Sequence, residues 1–235
     1  MRYLPVFLKL DGEACLVIGG GRVAERKVHA LLEAEACVTV VSPELTPGLS
    51  AMSDRGAINY IRRRYQPGDL QGAVLAYVAV SDRELGAKIA AEARRRAIPI
   101  NVADAPELCS FIAPSVLRRG DLRIAVSTSG ASPTVARTIR QQLEARYGPE
   151  YALALEILRA ARRFVRARDP DPRSRARKLG SLAESGLVDC LARADWAHAE
   201  RIVVDHIGAG LIELGIDPAL FNPERGMADH SRASS

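Results

Sequence analysis

The stretch Leu16-Val17-Ile18-Gly19-Gly20-Gly21-Arg22-Val23-Ala24-Glu25-Arg26-Lys27 decides the fold. An apolar run from Ala14 to Ile18 ends in three glycines, and apolar residues then recur at Ala24, Val28 and Leu31. A continuous apolar run suits a strand buried on both faces of a parallel sheet. Spacings of four and three put one apolar face on the helix that follows. Gly19-x-Gly21-x-x-Ala24 has the GxGxxG/A spacing at the strand-to-helix turn. There the first glycine permits a tight turn, and the second lets a pyrophosphate approach the backbone. The small third residue keeps helix against strand. The N–H groups and partial positive charge of the helix N-terminus favour phosphates. The bland alternative is a tight turn that holds no ligand.

Outward from this motif, strand and helix alternate. Pro5 to Leu10 reads as a short strand before the turn Asp11-Gly12, and Ala36 to Val41 as a strand ended by Ser42-Pro43. Leu45 to Arg55 reads as helix, Ala57 to Arg62 as extended, and Val74 to Val80 as a buried strand stopped by Ser81-Asp82. Leu85, Ile89 and Ala93 mark a helix face, and Ile98 to Val102 a further strand. This order predicts a parallel, doubly wound, Rossmann-like α/β sheet whose ligands lie at the carboxyl ends of the strands.

The pattern then changes. Leu122 to Ser127 reads as a strand, followed by a hydroxyl-rich loop, Thr128 to Ser132. Ser132 suits a helix N-cap and Pro133 the first helical position. Val135, Ile139 and Leu143 share one side of that helix, which Tyr147-Gly148-Pro149 ends. Tyr151, Ala154, Leu158, Ala161 and Val165 mark an amphipathic helix, interrupted by Asp169-Pro170-Asp171-Pro172. Leu179 with Leu182, and Leu187 with Leu191, suggest two short helices, and strand-like alternation returns only at Ile202 to Val204. The expected organisation is a dinucleotide-binding domain over 1–113, a strand-helix segment over 114–148, a helical domain over 149–222 and a flexible tail over 223–235. There is no internal repeat.

Composition narrows the class. Of 235 residues, 48% are hydrophobic, which excludes disorder of the whole chain. A formal charge of +5 and a pI near 9.2 favour anionic partners without choosing among them. Cys15, Cys37, Cys109 and Cys190 form no CxxC pair, and Cys15 and Cys37 read as buried apolar residues. His29, His198, His206 and His230 form no i, i+4 pair, so no metal is expected. Unpaired thiols and the absence of a signal-peptide pattern or a membrane-length apolar run point to the cytoplasm and away from membranes.

A second strand that binds NAD commonly ends in an acidic residue for the ribose hydroxyls. Here Ser42-Pro43-Glu44 stands instead, with Glu44 slightly late, Ser42 a weaker partner and no adjacent arginine for a 2′-phosphate. NAD is therefore preferred over NADP. The cofactor set is Gly19, Gly20, Gly21, Arg22, Val23, Pro43, Glu44, Ser81 and Val102, with Arg22 and Lys27 available to phosphates or to solvent.

Two long segments, LPVFLKLDGEACLVIGGGRVAERKVHALLE and INVADAPELCSFIAPSVLRRGDLRIAVSTSGASPTVARTIRQQLE, with VVSPEL and VAVSD between them, carry a resemblance. Over about residues 1–148 the chain resembles the precorrin-2 dehydrogenase / sirohydrochlorin ferrochelatase family of siroheme and cobalamin biosynthesis. The resemblance implies a Rossmann domain, a dimerisation segment and a helical domain. It implies a homodimer that dehydrogenates precorrin-2 to sirohydrochlorin with NAD. Some members of the family also insert iron into sirohydrochlorin.

In such a reaction a base near the nicotinamide assists hydride loss. Asp104 follows the strand Ile98 to Val102 and matches the family's proposed general base, although Asp104-Ala105-Pro106 also suits a plain turn. Ser127, Thr128, Ser129 and Gly130 suit a substrate carboxylate at a helix N-terminus, with N-capping alone as the alternative. Cys109 reads as packing, because no base stands beside it. The groups Arg62 to Arg64, Arg94 to Arg96, Arg118-Arg119 and Arg162 to Lys178 offer guanidinium groups for the carboxylate arms.

Two other classes compete. An NAD-sensing regulatory module also carries a Rossmann domain, but keeps the acidic residue after its second strand. A nucleic-acid binder would use the basic run 162–178, where Phe164 is the lone stacking residue. Nucleic acid is not expected as a partner.

Overall fold

A computed structural model describes residues 3–221. Ala14–Ile18 forms β1, whose last four residues are buried, and it lies at the centre of a five-stranded parallel sheet. The remaining strands are β2 (Cys37–Val41), β3 (Asn59–Ile61), β4 (Leu75–Val78) and β5 (Ile100–Val102), in the order β3-β2-β1-β4-β5. The register runs from Ala14 opposite Cys37 to Ile18 opposite Val41 on one side, and from Cys15 opposite Leu75 to Ile18 opposite Val78 on the other. The chain winds outward through β2 and β3, then returns to β4 and β5. The crevice between β1 and β4 is therefore the topological switch point, where open α/β sheets bind their ligands.

Three helices pair with these strands: α1 (Arg22–Leu32), α2 (Pro47–Asp54) and α3 (Arg83–Arg95). Cys15, Val17, Ala24, Val28, Val40 and Leu49 form one core; Leu16, Ile18, Val78, Ile89, Ala93 and Ile100 form the other. Successive β1 residues point to opposite faces, so each core takes alternate ones. Each fully buried Val, Leu or Ile contributes about 1.5–3 kcal/mol. Thr46 caps α2 by accepting from Leu49 N at 3.2 Å, and Asp82 caps α3 by accepting from Leu85 N at 3.0 Å.

The backbone contacts divide the chain into one unit ending at Ala113 and one beginning at Pro114. The second contains an antiparallel ribbon, β6 (Ser115–Arg119) and β7 (Leu122–Val126), with α4 (Pro133–Arg146). It continues through α5 (Glu150–Arg168), α6 (Pro172–Ala183), α7 (Leu187–Ala192) and α8 (Trp196–Ile207), whose core includes Ile157, Ala161, Leu182, Leu187, Val203 and Leu211. The α5–α6 connector is tied by Asp169, which accepts from Ser174 Oγ at 2.7 Å and Lys178 Nζ at 3.0 Å. Those bonds hold its carboxyl down at about 2. No described helix is long and apolar enough to cross a membrane.

Several expectations differ from the structure. Pro5 to Leu10 is not a strand; Leu4 and Phe7 are 83% and 75% exposed. Apolar content makes a strand only where an open sheet edge pairs its backbone, and none pairs this segment. Cys37 is exposed, because it opens β2 at the strand's outer end. Ile202 to Val204 lies inside α8, which Asp195 caps through His198 N at 3.1 Å and Gly208 ends at φ 81°. β6 escaped the sequence reading, although Gly120-Asp121 between Arg119 and Leu122 is a two-residue hairpin turn. The expected tail over 223–235 lies outside the described residues.

Candidate active site

The three glycines have different reasons to be glycine. Gly19 has φ 115°, and a Cβ there would stand 2.9 Å from the carbonyl carbon of Ala79. At Gly20 a Cβ would stand 2.8 Å from Ser42 Oγ and overlap the Glu44 carbonyl. Both positions are therefore set by close backbone packing. Gly21 is different: it has φ −86° and caps α1 with no side-chain hydrogen bond, and nothing lies within 4 Å of a Cβ built on it. Gly21 leaves an open approach to the N–H groups of the first turn of α1, the kind of helix N-terminus that favours anions. Arg22 and Val23, both exposed, begin that turn.

The loop after β2 braces the glycines. Thr46 N donates to Gly20 O at 2.9 Å, and Thr46 Oγ1 donates to Glu25 Oε2 of α1 at 2.5 Å. Ser42 is buried and its hydroxyl donates to Glu44 O at 2.7 Å, so its proton is engaged within the loop. Pro43 and Glu44 are exposed, and Tyr60 Oη donates to Pro43 O at 3.2 Å. Lys27 departs from its expected place. It is half-buried, its ammonium lies 4.8 Å from the centre of the Tyr77 ring in mid-β4, and burial lowers its pKa.

Asp104 stands two residues beyond β5, exposed, with φ 58°. Left-handed backbone is uncommon for a residue with a Cβ and costs energy unless its surroundings impose it. Ala103 N donates to Val78 O at 2.8 Å, which pins the start of the loop to β4. Asp104, Val102 and Ser81 line one cleft of about 350 Å³ at the carboxyl ends of β4 and β5. Val80, Asp82, Arg83, Gly86, Glu107 and Leu108 are among its other lining residues, none of which the sequence reading placed in the site. Ser81-Asp82 at a strand end was their available signal, since Asp82 caps the next helix.

The loop Ser127 to Gly130 belongs to the second unit, between β7 and α4. Ser129 has φ 53° and Gly130 φ 88°. Ser129 N donates to Ser127 Oγ, and Ser132 N donates to Thr128 Oγ1, each at 3.0 Å. Thr128 Oγ1 in turn donates to Ser132 O at 3.0 Å, so its hydroxyl is engaged. Ser132 caps α4 through Val135 N at 3.2 Å.

The arginine groups separate by role. Arg63 forms a two-pronged pair with Asp69, Arg96 bonds Glu92, and Arg119 donates to Tyr147 O. Arg175 donates to Asp169 O, and Arg168 stacks over Phe164 at 3.8 Å. Arg62, Arg64, Arg95, Arg162, Arg163 and Arg166 are exposed. Among the described residues no group of three His, Cys, Asp or Glu could hold a metal ion.

A glycine turn at the switch point of a parallel sheet, open at Gly21, is the geometry of a dinucleotide-binding protein. Residues 6–115 match the family described as Putative NAD(P)-binding, and residues 119–146 that described as Sirohaem biosynthesis protein central. Siroheme synthase of Thioalkalivibrio sulfidiphilus is 41% identical over 189 residues, covering 80% of this chain and 39% of that protein. Siroheme synthase of Methylobacillus flagellatus is 45% identical over 166 residues, covering 69% of this chain and 36% of that protein. The chain thus spans well under half the length of these relatives. A solved structure titled SirC, precorrin-2 dehydrogenase, has the same fold, with a TM-score of 0.71 at 22% identity over 88% of this chain and 100% of that one. The chain is thus a homologue of the siroheme synthases and carries an NAD(P)-binding segment followed by a sirohaem biosynthesis central segment.

Proposed function

We propose that the chain dehydrogenates precorrin-2 to sirohydrochlorin with NAD as the acceptor. The observation that carries this reading is Asp104, held at φ 58° on the cleft where β4 and β5 end. NAD, when bound, supplies the hydride acceptor. A C–H bond of the macrocycle breaks with its electron pair leaving as hydride, and the accompanying proton passes to the Asp104 carboxylate and then to water. Precorrin-2 and NAD⁺ thus give sirohydrochlorin, NADH and one proton. General-base assistance of this kind contributes about 10²–10⁴-fold.

The other residues serve binding. Gly21 admits the pyrophosphate to the first turn of α1, beside Arg22 and Val23. Glu44, exposed after β2, accepts from the ribose hydroxyls and repels a 2′-phosphate, which favours NAD over NADP. Ser129 and Gly130, exposed ahead of α4, meet a substrate carboxylate, and exposed arginines take other arms of the polycarboxylate macrocycle. The ribbon β6–β7 with α4 pairs with a second copy. Support comes from Val135 and Ile139, 48% and 37% exposed on α4.

The test is anaerobic precorrin-2 with NAD, followed by absorbance, for the wild type and Asp104→Ala. The wild type is expected to yield NADH and sirohydrochlorin in equal amounts, and Asp104→Ala at least about 100-fold more slowly. Full turnover by Asp104→Ala removes its assigned role, and an inactive wild type removes the reading.

A further inference from the structure

We propose that Cys109 is a positioning residue for this site: its thiol closes the loop from Val102 to Cys109 and so fixes Asp104 at the loop's tip. The inference rests on the reading of Asp104 as the base.

The sulfur meets four polar groups of one short segment. Val102 N donates to Cys109 Sγ at 3.1 Å, and Asn101 Nδ2 donates to it at 3.5 Å. The sulfur lies 3.3 Å from Val102 O and 3.4 Å from Ala105 O, and its one proton can be donated to either carbonyl. One thiol therefore accepts on one side and donates on the other, joining both ends of the bend to its middle. A cysteine that only filled space would face carbon; a thiol is a weak donor and a weak acceptor, and both capacities are engaged here.

Neighbouring contacts hold the sulfur in place. Ser110 N donates to Ile100 O and Ile100 N donates to Ser110 Oγ, both at 2.8 Å. Asn101 Nδ2 also donates to Phe111 O at 3.0 Å. Residues 109–111 thus run along the open edge of β5 and occupy its backbone groups, in the manner of a covered sheet edge. Phe111 meets the Tyr77 ring edge-on at 5.4 Å and 72°. The strap is anchored on β4 and β5.

Inside the loop, Ala105 N donates to Val102 O at 3.4 Å and Leu108 N to Ala105 O at 3.0 Å. The first bond closes a turn with Asp104 as its third residue, and the thiol adds a second closure from Cys109 to Val102 and Ala105 across the same bend. Left-handed backbone of this kind persists when surrounding contacts over-determine it. A catalytic group displaced by about 1 Å loses on the order of 100-fold in rate.

The test compares Cys109→Ala, which removes both hydrogen-bonding capacities, with Cys109→Ser, which restores them. Two readouts are taken on the full chain: amide hydrogen exchange of residues 103–108, and dehydrogenation of precorrin-2 with NAD. Cys109→Ala is expected to speed exchange in the loop and to lower kcat by about 10- to 100-fold. Its KM for NAD should change less than kcat because, of the proposed cofactor set, only Val102 touches this loop. Cys109→Ser is expected to recover slow exchange and most of kcat. Unchanged loop exchange in a folded Cys109→Ala overturns the proposal. So does a fall in thermal stability with kcat unchanged, which marks packing alone, or a Cys109→Ser variant no better than Cys109→Ala. If the wild type fails to oxidise precorrin-2, the reading of Asp104 fails, and hydrogen exchange still decides whether Cys109 closes the loop.

Discussion

Gly19 packs against Ala79 where β1 and β4 end: Ala79 N donates to Ile18 O at 2.7 Å, and a Cβ on Gly19 would stand 2.9 Å from the Ala79 carbonyl carbon. The first glycine of the motif therefore serves the fold at the switch point, while Gly21 faces open space. This separates two variants that the motif alone treats alike. Gly19→Ala meets both an unfavourable φ and a clash with backbone, costing about 3 kcal/mol. Gly21→Ala meets neither, and is expected to fold with a melting temperature close to that of the wild type. It should nonetheless weaken NAD about tenfold or more, because the new methyl occupies the pyrophosphate approach. Thermal unfolding and calorimetric titration with NAD check both. A Gly21→Ala protein that binds NAD as the wild type does would place the dinucleotide elsewhere.

The end of β2 gives a second prediction. With the Ser42 hydroxyl spent on Glu44 O, the exposed Glu44 carboxylate is the group left to meet the ribose. Glu44→Arg exchanges repulsion of a 2′-phosphate for attraction. The ratio of kcat/KM for NAD over NADP is expected to fall by about 10-fold or more, each factor of ten being about 1.4 kcal/mol. An unchanged ratio would show that Glu44 does not reach the ribose.

Much of this geometry was legible in the sequence, and the exceptions have physical causes. The apolar run Ala14 to Ile18, the glycines and the Ala24, Val28, Leu31 face could be read because burial and periodicity agreed. Ile202-Val203-Val204 misled because three β-branched residues favour strand locally, whereas the Asp195 cap, the Gly208 stop and the burial of Ala199, Ile202 and Val203 favour helix. β6 was missed because its ribbon is half-exposed and ends in Arg118-Arg119, which gives little apolar contrast. Ser42 could be placed at the end of β2 but not oriented, since its orientation depends on the Glu44 carbonyl. The turn at Asp104-Ala105-Pro106 was legible, since Asp tolerates left-handed backbone, but the Cys109 thiol that closes the bend from five positions later was not.

A buried carboxylate gives a pH prediction for the first unit. Glu92 is 7% exposed and accepts from Tyr65 Oη at 2.7 Å, Gly68 N at 3.0 Å and Arg96 Nε at 2.9 Å. Burial pushes its pKa up, but the three hydrogen bonds and the Arg96 charge outweigh burial and leave it below the ordinary 4.5. The unfolded chain therefore binds the proton more readily than the folded one. Glu92 stabilises fully above the unfolded value, and that stability is lost as pH falls from about 4.5 through the folded value. Glu92→Gln is expected to cost about 2 kcal/mol at pH 7, with the difference from wild type shrinking as the pH drops below 4. Urea unfolding of both proteins at pH 7 and across the acid range checks this. A constant difference at every pH would mean that packing, not charge, sets the cost.

The face of α4 supplies the last prediction. Val135 and Ile139 lie one turn apart and stay exposed in the isolated chain, while Ala136 beside them is buried. Arg140, one position further, donates to Ser115 Oγ at 3.1 Å and pairs with Glu144, which fixes the helix on its ribbon. The apolar pair is therefore presented on a braced element, and a second copy of the same face would cover it through a twofold interface. A charge at Ile139 would be buried twice in that interface, once from each copy, at several kcal/mol in total. Ile139→Glu is expected to shift the wild-type dimer to monomer in sedimentation velocity at micromolar concentration, with the melting of the first unit unchanged. A wild type that sediments as a monomer would refute the pairing directly, and a dimer indifferent to both Ile139→Glu and Val135→Glu would move the interface to another face.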